Sequence, residues 1–392
     1  AGAGVDGVDA ARLEQMVQTV DAGSVGARVV LVDGMVARIE GSDVAPEVNV
    51  AAWTDVDGDV QAEALQVLRS ARETGLVHGD VFHKLNAAAM QDVCVVSVPA
   101  GVEIDKPIHL LSIATGIANS DATACHHPRI VVLARDNAKV AIVEQHVCLD
   151  DSTSAFVNSC TTVSPSRGAT VEHALLSNLT ADSYHIAGVY AAVPRDARYA
   201  LCSVNTRARV SRTTAGINLY EPGADCSLYG LGLATKRATV DLHSRIIHGQ
   251  KNCTSEQLQK NVAAERGHAI FRGRVIVNQG ASQTDSQQLC KSLLLSSTAE
   301  VDAMPNLEIH CDDVKCTHGA TVADLTEDEL FYIQSRGLSE EVARFLLVNG
   351  FAEEILQKVP SSIGSDSIRS DVQDLARTMR SRPQDMATYS SV

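Results

Sequence analysis

"KRATVDLHSRIIH", residues 236–248, opens on a turn pair, continues through a small alanine at Ala238, and becomes a β-branched run with no helical spacing. Its opening recurs as "DNAKV" (136–140), "RGATV" (167–171) and "HGATV" (318–322), with looser versions at Ala197, Ala269 and Ala299. Several intervals fall near 30 residues: 138 to 169, 169 to 197, 269 to 299. A small residue after a turn lets successive coils of chain approach closely, and the strand that follows can stack on its neighbour. The pattern predicts a parallel β-helix in preference to a β-sandwich.

Outward from that stretch the texture is the same. "VCVVSV" (93–98), "IHLLSI" (108–113), "RIVVLA" (129–134), "KVAIVEQHV" (139–147), "ATVEHALL" (169–176), "RVIVNQ" (274–279) and "SLLLSS" (292–297) read as strands, and this continues to about residue 322. Before it lies a mixed α/β region, residues 1–80. Residues 9–20 and 59–74 are spaced as helices, the second stopped by Gly75. "ARVVLVDGMVARI" (27–39) reads as a hairpin turning at Asp33-Gly34. With the solenoid core placed at 81–322, residues 323–358 turn helical. Thr326 and Glu329 form a capping box, Gly337 ends that helix, Ser339 caps the next, and Asn349-Gly350 closes it before a third ends ahead of Pro360. Residues 359–392, rich in Ser and Asp, read as a partly disordered tail with one short helix around "DVQDLARTM".

The 392 residues are 45% hydrophobic but only 4% aromatic, so a large core must be filled by aliphatic side chains, as narrow stacked β architectures allow. A net charge of −15 argues against nucleic acid as a partner, and "RYALCSVNTRARVSR" (198–212), the only basic stretch, reads as the solvated face of a strand. No apolar run approaches the ~20 residues that span a bilayer. Ten cysteines without a paired framework, and no secretory apolar segment, fit a soluble protein of a reducing compartment. No Walker A loop, H-E-x-x-H or G-x-S-x-G is present, and "GLGLAT" (230–235) lacks the last glycine of a dinucleotide fingerprint.

The densest chemistry lies in "EIHCDDVKCTHGATV" (308–322). On a strand, Cys316 and His318 share a face. An imidazole there could lower the thiol pKa, or the pair could serve as two of four ligands for iron, zinc or an iron–sulfur cluster. Cys311 and His310 reach them only if Asp312-Asp313 turn. The natural reading is a half-site completed by another coil or another chain; the alternative is structural cysteine. Cys290, in "QQLCKSLLLSS", could be a neighbour. Cys94, Cys148, Cys160, Cys202, Cys226 and Cys253 read as small packed hydrophobes, and His126-His127 as a solvated turn.

"GVEIDKPIHLL", "PRIVVLARDNAKVAIVEQH", "NCTSEQLQK" and the long run from "QTDSQQLCKSLLLSSTAEVDAMPNLEIHCDDVKC" to "FLLVNGF" resemble the SufB/SufD family of iron–sulfur cluster assembly proteins over residues 80 to 356. "AEVDAMPNLEI" and "DDVKCTHGATV" look like its SufD branch. The resemblance implies a right-handed parallel β-helix and no enzyme activity of the chain alone. It also implies a heterodimer with a SufB-like subunit, a complex with two copies of the ABC-type ATPase SufC, and no nucleotide on this chain. The helices near 326–357 would dock the ATPase, through Phe331, Tyr332, Arg336, Gly337, Phe345, Asn349, Gly350 and Phe351. Cys316 and His318 would face the partner subunit and handle a transient iron or iron–sulfur cluster. Cys290 occupies the position where SufB proteins carry their sulfur-accepting cysteine and SufD proteins commonly do not. That keeps a SufB-like homodimer as the alternative; a β-helix enzyme acting on polysaccharide is disfavoured by the scarce aromatics. Bacterial cytosol and plastid stroma both suit such an assembly.

Overall fold

The computed structural model describes residues 10–18, 24–41, 48–73, 76–77, 80–116, 123–359, 363 and 365–378. The expected stop at Gly75, Pro360 and the end of the tail lie outside them. Two sheets face each other. The first runs from β2 (Met35–Glu40) through β1 (Ala27–Val32), β5 (Ile108–Ala114), β8 (Lys139–Cys148), β10 (Thr170–Asn178) and β12 (Arg198–Thr206). It continues through β14 (Asp225–Ala234), β16 (Thr254–Ala263) and β18 (Thr284–Leu294) to β20 (Val314–Ala323). The second begins at β3 (Asn49–Ala52), β4 (Cys94–Val98), β7 (Arg129–Ala134), β9 (Ala155–Pro165) and β11 (Tyr184–Val193), with β6 (Ala124–His126) beside β9. It ends with β13 (Val210–Leu219), β15 (Thr239–His248), β17 (His268–Val277) and β19 (Glu300–Ile309). From β7 onward the chain alternates between the sheets and every neighbouring pair is parallel. This is a β-solenoid of about seven turns.

The coil closes at corners built from two kinds of residue. Asn137, Gly168, Asp196, Gly223 and Asn252 all have φ between 56° and 77°, a left-handed conformation that Gly, Asn and Asp adopt at least cost. Each is followed by a small buried residue: Ala138, Ala169, Ala197, Ala224 and Cys253. Their carbonyls are bonded across the coils, Thr170 N to Ala138 O at 2.8 Å and Arg198 N to Ala169 O at 2.8 Å. Ala238 lines another corner, where His268 N meets Ala238 O at 2.9 Å, whereas Ala269 is already the second residue of β17 and pairs with Val240. The alanine of "HGATV" is different: Ala320 lies in the middle of β20, so that copy of the pattern is not a corner.

The N-terminal hairpin forms as its turn chemistry demands, Asp33 and Gly34 both at positive φ. Its strand β1 pairs in parallel with β5, so the N-terminal region adds strands to the solenoid. The helices α1 (Ala10–Gln18) and α2 (Gly58–Glu73) match their spacing. Residues Val81–Ala89, placed in the β core by sequence, are instead a helix, α3, because Asp80 caps it by accepting from Phe82 N at 2.8 Å. His126 is buried, not solvated: it bonds Thr115 O at 3.0 Å and stands 3.2 Å from Asp33 Oδ1, tying the hairpin turn down.

At the C-terminus α4 (Glu327–Gln334) has the expected capping box, and Gly337, at φ 84°, follows its last turn. α5 (Glu340–Leu356) runs straight through Asn349-Gly350, where sequence placed a break. A single glycine costs a helix only about 1 kcal/mol, and buried Val348, Ala352, Ile355 and Leu356 hold it against the outer face of the first sheet. α6 (Ser365–Thr378) is longer than the short helix expected in the tail, and Ile368, Val372 and Leu375 bury in the same cluster.

Candidate functional site

Because side chains alternate along a strand, register fixes what each residue of β20 faces. Cys316 pairs with Ser286, His318 with Gln288 and Ala320 with Cys290, and all three partners are buried in the solenoid interior. Cys316 and His318 therefore continue two interior rows onto the last rung. That rung has no successor. β20 ends one sheet and β19 the other, so each ten-residue strand is paired along one edge only. An interior face here opens to solvent: Cys316 is half-buried, His318 exposed, and Val322 is 44% exposed.

The turn needed at Asp312-Asp313 is present, with Val314 N on Asp312 O at 3.1 Å and Gln283 N on Asp313 O at 2.6 Å. It brings Cys311 against the same end of the core as Cys316. His310 does not join them; its Nε2 bonds Glu308 Oε1 at 3.0 Å. No hydrogen bond links Cys316 to His318, and burial, helped by the Asp285 charge, pushes the Cys316 thiol up rather than down. The pair is thus not an activated thiolate and its base in the isolated chain. Among the described residues no group of three His, Cys, Asp or Glu side chains is arranged to hold a metal ion. The geometry offers a thiol and an imidazole at an open strand edge.

Cys290 lies one rung inward, two residues along from the partner of His318, which makes it a diagonal neighbour of His318 and not of Cys316. It is fully buried with Leu242 and Phe271, and burial pushes its thiol up to about 11. The six cysteines expected to pack as small hydrophobes are all buried.

The C-terminal surface is divided. Phe331 is 72% and Tyr332 61% exposed on α4, and Arg336 stacks 3.6 Å above the Tyr332 ring. Gly337 and Gly350 are exposed, Phe345 and Asn349 half-buried. Phe351 faces inward: Lys260 Nζ lies 4.3 Å over its ring and donates to its carbonyl at 2.8 Å. Sequence reasoning missed Leu338, Val342 and Leu346, which extend the exposed apolar surface. The signal was available, since "VARFLLV" has more apolar residues than one buried helix face needs.

Two further features have no counterpart in the sequence reading. Deep inside, the Glu144 carboxylate accepts from Thr161 Oγ1 at 2.7 Å and contacts His146 Nε2 at 2.7 Å and His173 Nε2 at 3.1 Å. Burial alone would push Glu144 up, but the two imidazoles outweigh it and hold the carboxyl well below the usual range. A cleft of about 660 Å³ lies between α6 and the corners carrying Arg207 and Lys236; Asp371 of α6 already pairs there with Arg207 at 2.6 Å.

"GLGLAT" is strand β14. A Cβ at Gly230 would run into the Gln259 amide, and one at Gly232 would sit 2.9 Å from Asn261 Oδ1, so these glycines make room for polar interior side chains rather than for phosphate.

Residues 116–351 match the family described as SUF system FeS cluster assembly, SufBD core domain. The chain is 35% identical over 300 residues to the chloroplastic protein ABCI7 of Arabidopsis thaliana, covering 76% of this chain and 63% of that protein. It is 34% identical over 327 residues to an iron-sulfur cluster assembly SufBD family protein of Synechocystis, covering 81% and 70%. It is 30% identical over 281 residues to the iron-sulfur cluster assembly protein SufD of Escherichia coli, covering 72% and 66%. No helix among the described residues is long and apolar enough to cross a membrane.

Proposed function

Because the chain belongs to the SufB/SufD family of SUF-system iron–sulfur cluster assembly proteins, we propose that it serves as a SufD-like scaffold subunit. Its open end docks a SufB-like subunit, and its C-terminal helices dock an ABC-type ATPase. One observation carries this reading: both sheets end in ten-residue strands that are unpaired along their outer edge, and the interior face of β20 presents Cys316 and His318. Long unpaired edges are ready templates for another chain, and soluble proteins rarely leave them bare. A second solenoid added there would cover Cys316 and His318 and bring its own side chains to the same rows.

Iron or a nascent cluster is the cargo. Two ligands from this chain and others from the partner would complete the coordination that this chain does not supply. A thiol pushed up by burial binds metal only by losing its proton, so cargo charge and thiol ionisation are coupled. Loading through Cys316 rises with pH for that reason. The sequence has no Walker A loop, and in this reading the ATP chemistry belongs to the ATPase partner that α4 and α5 would meet. The exposed Phe331, Tyr332, Leu338, Val342 and Leu346 are suited to that contact. In a SufB-like homodimer working through Cys290, that buried thiol would first have to be uncovered.

The test is an anaerobic affinity purification of the tagged chain from its native extract. A SufB-like subunit and an ABC-type ATPase should be recovered together. His318→Ala should lower cluster yield while the ATPase is retained; recovery of the chain alone, or unchanged yield, contradicts the assignment.

A further inference from the structure

The chain is strongly acidic, yet three arginines occupy neighbouring positions on the outer face of the second sheet. Arg245 of β15 and Arg274 of β17 stand in direct register, and Arg272 is two residues from Arg274 on the same face. Like charges directly opposite one another on a sheet are destabilising, and the Arg245 guanidinium is pulled down by burial and then by the Arg274 charge. One carboxylate, Glu308, pairs with Arg274. Asp241, on the near side, is taken up by Arg212 at 3.7 Å and His243 at 2.9 Å. Arg272 is exposed and has no ion-pair partner among the described residues. Arg272 therefore carries the cluster's charge to the surface without a carboxylate among the described residues paired to it.

The surroundings narrow the choice of anion. Half-buried Ile247, Ile270 and Ile276 and the exposed Met304 form a flat apolar surround. Asp241 and Asp302 on one side and Glu308 on the other flank the arginine rows, so a long polyanion such as nucleic acid would run onto repelling charge, while a short acidic segment meets the arginines between them. A flat surface of arginine, isoleucine and methionine with depleted central acids is a protein-binding composition, and guanidinium forks grip carboxylates bidentately. We propose that this face of β15 and β17 binds an acidic segment of a partner protein, its carboxylates held by Arg245, Arg272 and Arg274. The site is separate from the open edge and does not depend on the role proposed for it.

The full chain is titrated against a fluorescein-labelled hexaglutamate peptide by anisotropy, with inorganic diphosphate in a parallel titration. Saturable peptide binding is expected, weakened about tenfold or more in Arg245→Gln/Arg272→Gln and by raised salt. Arg272→Gln alone, at an exposed position that leaves folding intact, should weaken it severalfold. Absent saturation, or equal binding by both variants, overturns the proposal. Diphosphate binding without peptide binding also overturns it and reassigns the arginines to phosphate.

Discussion

Cys316 and His318 were legible because alternation on a strand needs only spacing, and "KCTHG" supplies it. Their relation was not legible, since the thiol's state depends on burial at the end of the core and on Asp285 from the adjacent strand. As the imidazole makes no hydrogen bond to the thiol, His318→Ala should leave the alkylation rate of Cys316 in the isolated chain within about twofold. A tenfold fall, followed by peptide mass spectrometry, would mean the imidazole does activate it. Glu144 shows the opposite case, a residue that looks like ordinary strand filler and is the carboxylate that buried His146, His173 and Thr161 share. Glu144→Ala leaves those partners facing an empty site, and breaking such a buried pair costs about 3–5 kcal/mol. Urea unfolding of the variant should show it; a loss under about 1 kcal/mol would mean the network is dispensable.

At the scale of elements, the strands rich in aliphatic residues were read directly: "RIVVLA" is β7 and "KVAIVEQHV" lies within β8. β18 was not, because its interior positions are Ser286, Gln288 and Cys290, and polar residues on both faces erase the apolar alternation. "SLLLSS" marked only its end. The Asn349-Gly350 signal misled for a similar reason: local propensity favoured a stop, and packing of α5 on the first sheet outweighed it. The exposed apolar surface of α4 and α5 yields a prediction of its own. Phe331→Ser/Tyr332→Ser should abolish ATPase recovery while changing unfolding free energy by no more than about 0.5 kcal/mol, as exposed positions usually do. Retained ATPase would remove these helices from the docking surface. Ile368→Ala, by contrast, should cost about 2–4 kcal/mol, because α6 is anchored by that side chain in the shared core.

For the whole molecule, a narrow solenoid interior makes histidine burial a global property. His109 and His248 are lowered to about 4 by burial, with Arg28 adding to the effect at His109, and His185 is lowered well below its ordinary value by burial and by His146. Unfolded histidines titrate near 6.5. Between 6.5 and 4 the unfolded chain therefore binds more protons, so the stabilisation is complete above pH 6.5 and is lost as pH falls. Each neutral buried histidine then accounts for about 1.4 kcal/mol of lost stability at pH 5.5 relative to neutral pH. Thermal melts at pH 7.5 and 5.5 should show a clear fall in Tm; an unchanged Tm would mean that these rings are protonated in the fold. The same two-sheet stacking leaves β19 and β20 with no rung above them. The most direct measurement is amide hydrogen exchange on β19 and β20, in the isolated chain and in the complex recovered from native extract. The outward-facing amides of both strands should exchange quickly in the free chain and become protected by a hundredfold or more, by order of magnitude, when strand pairing closes the edge. Protection confined to α4 and α5, with both edge strands still exchanging freely, would contradict pairing through the open end.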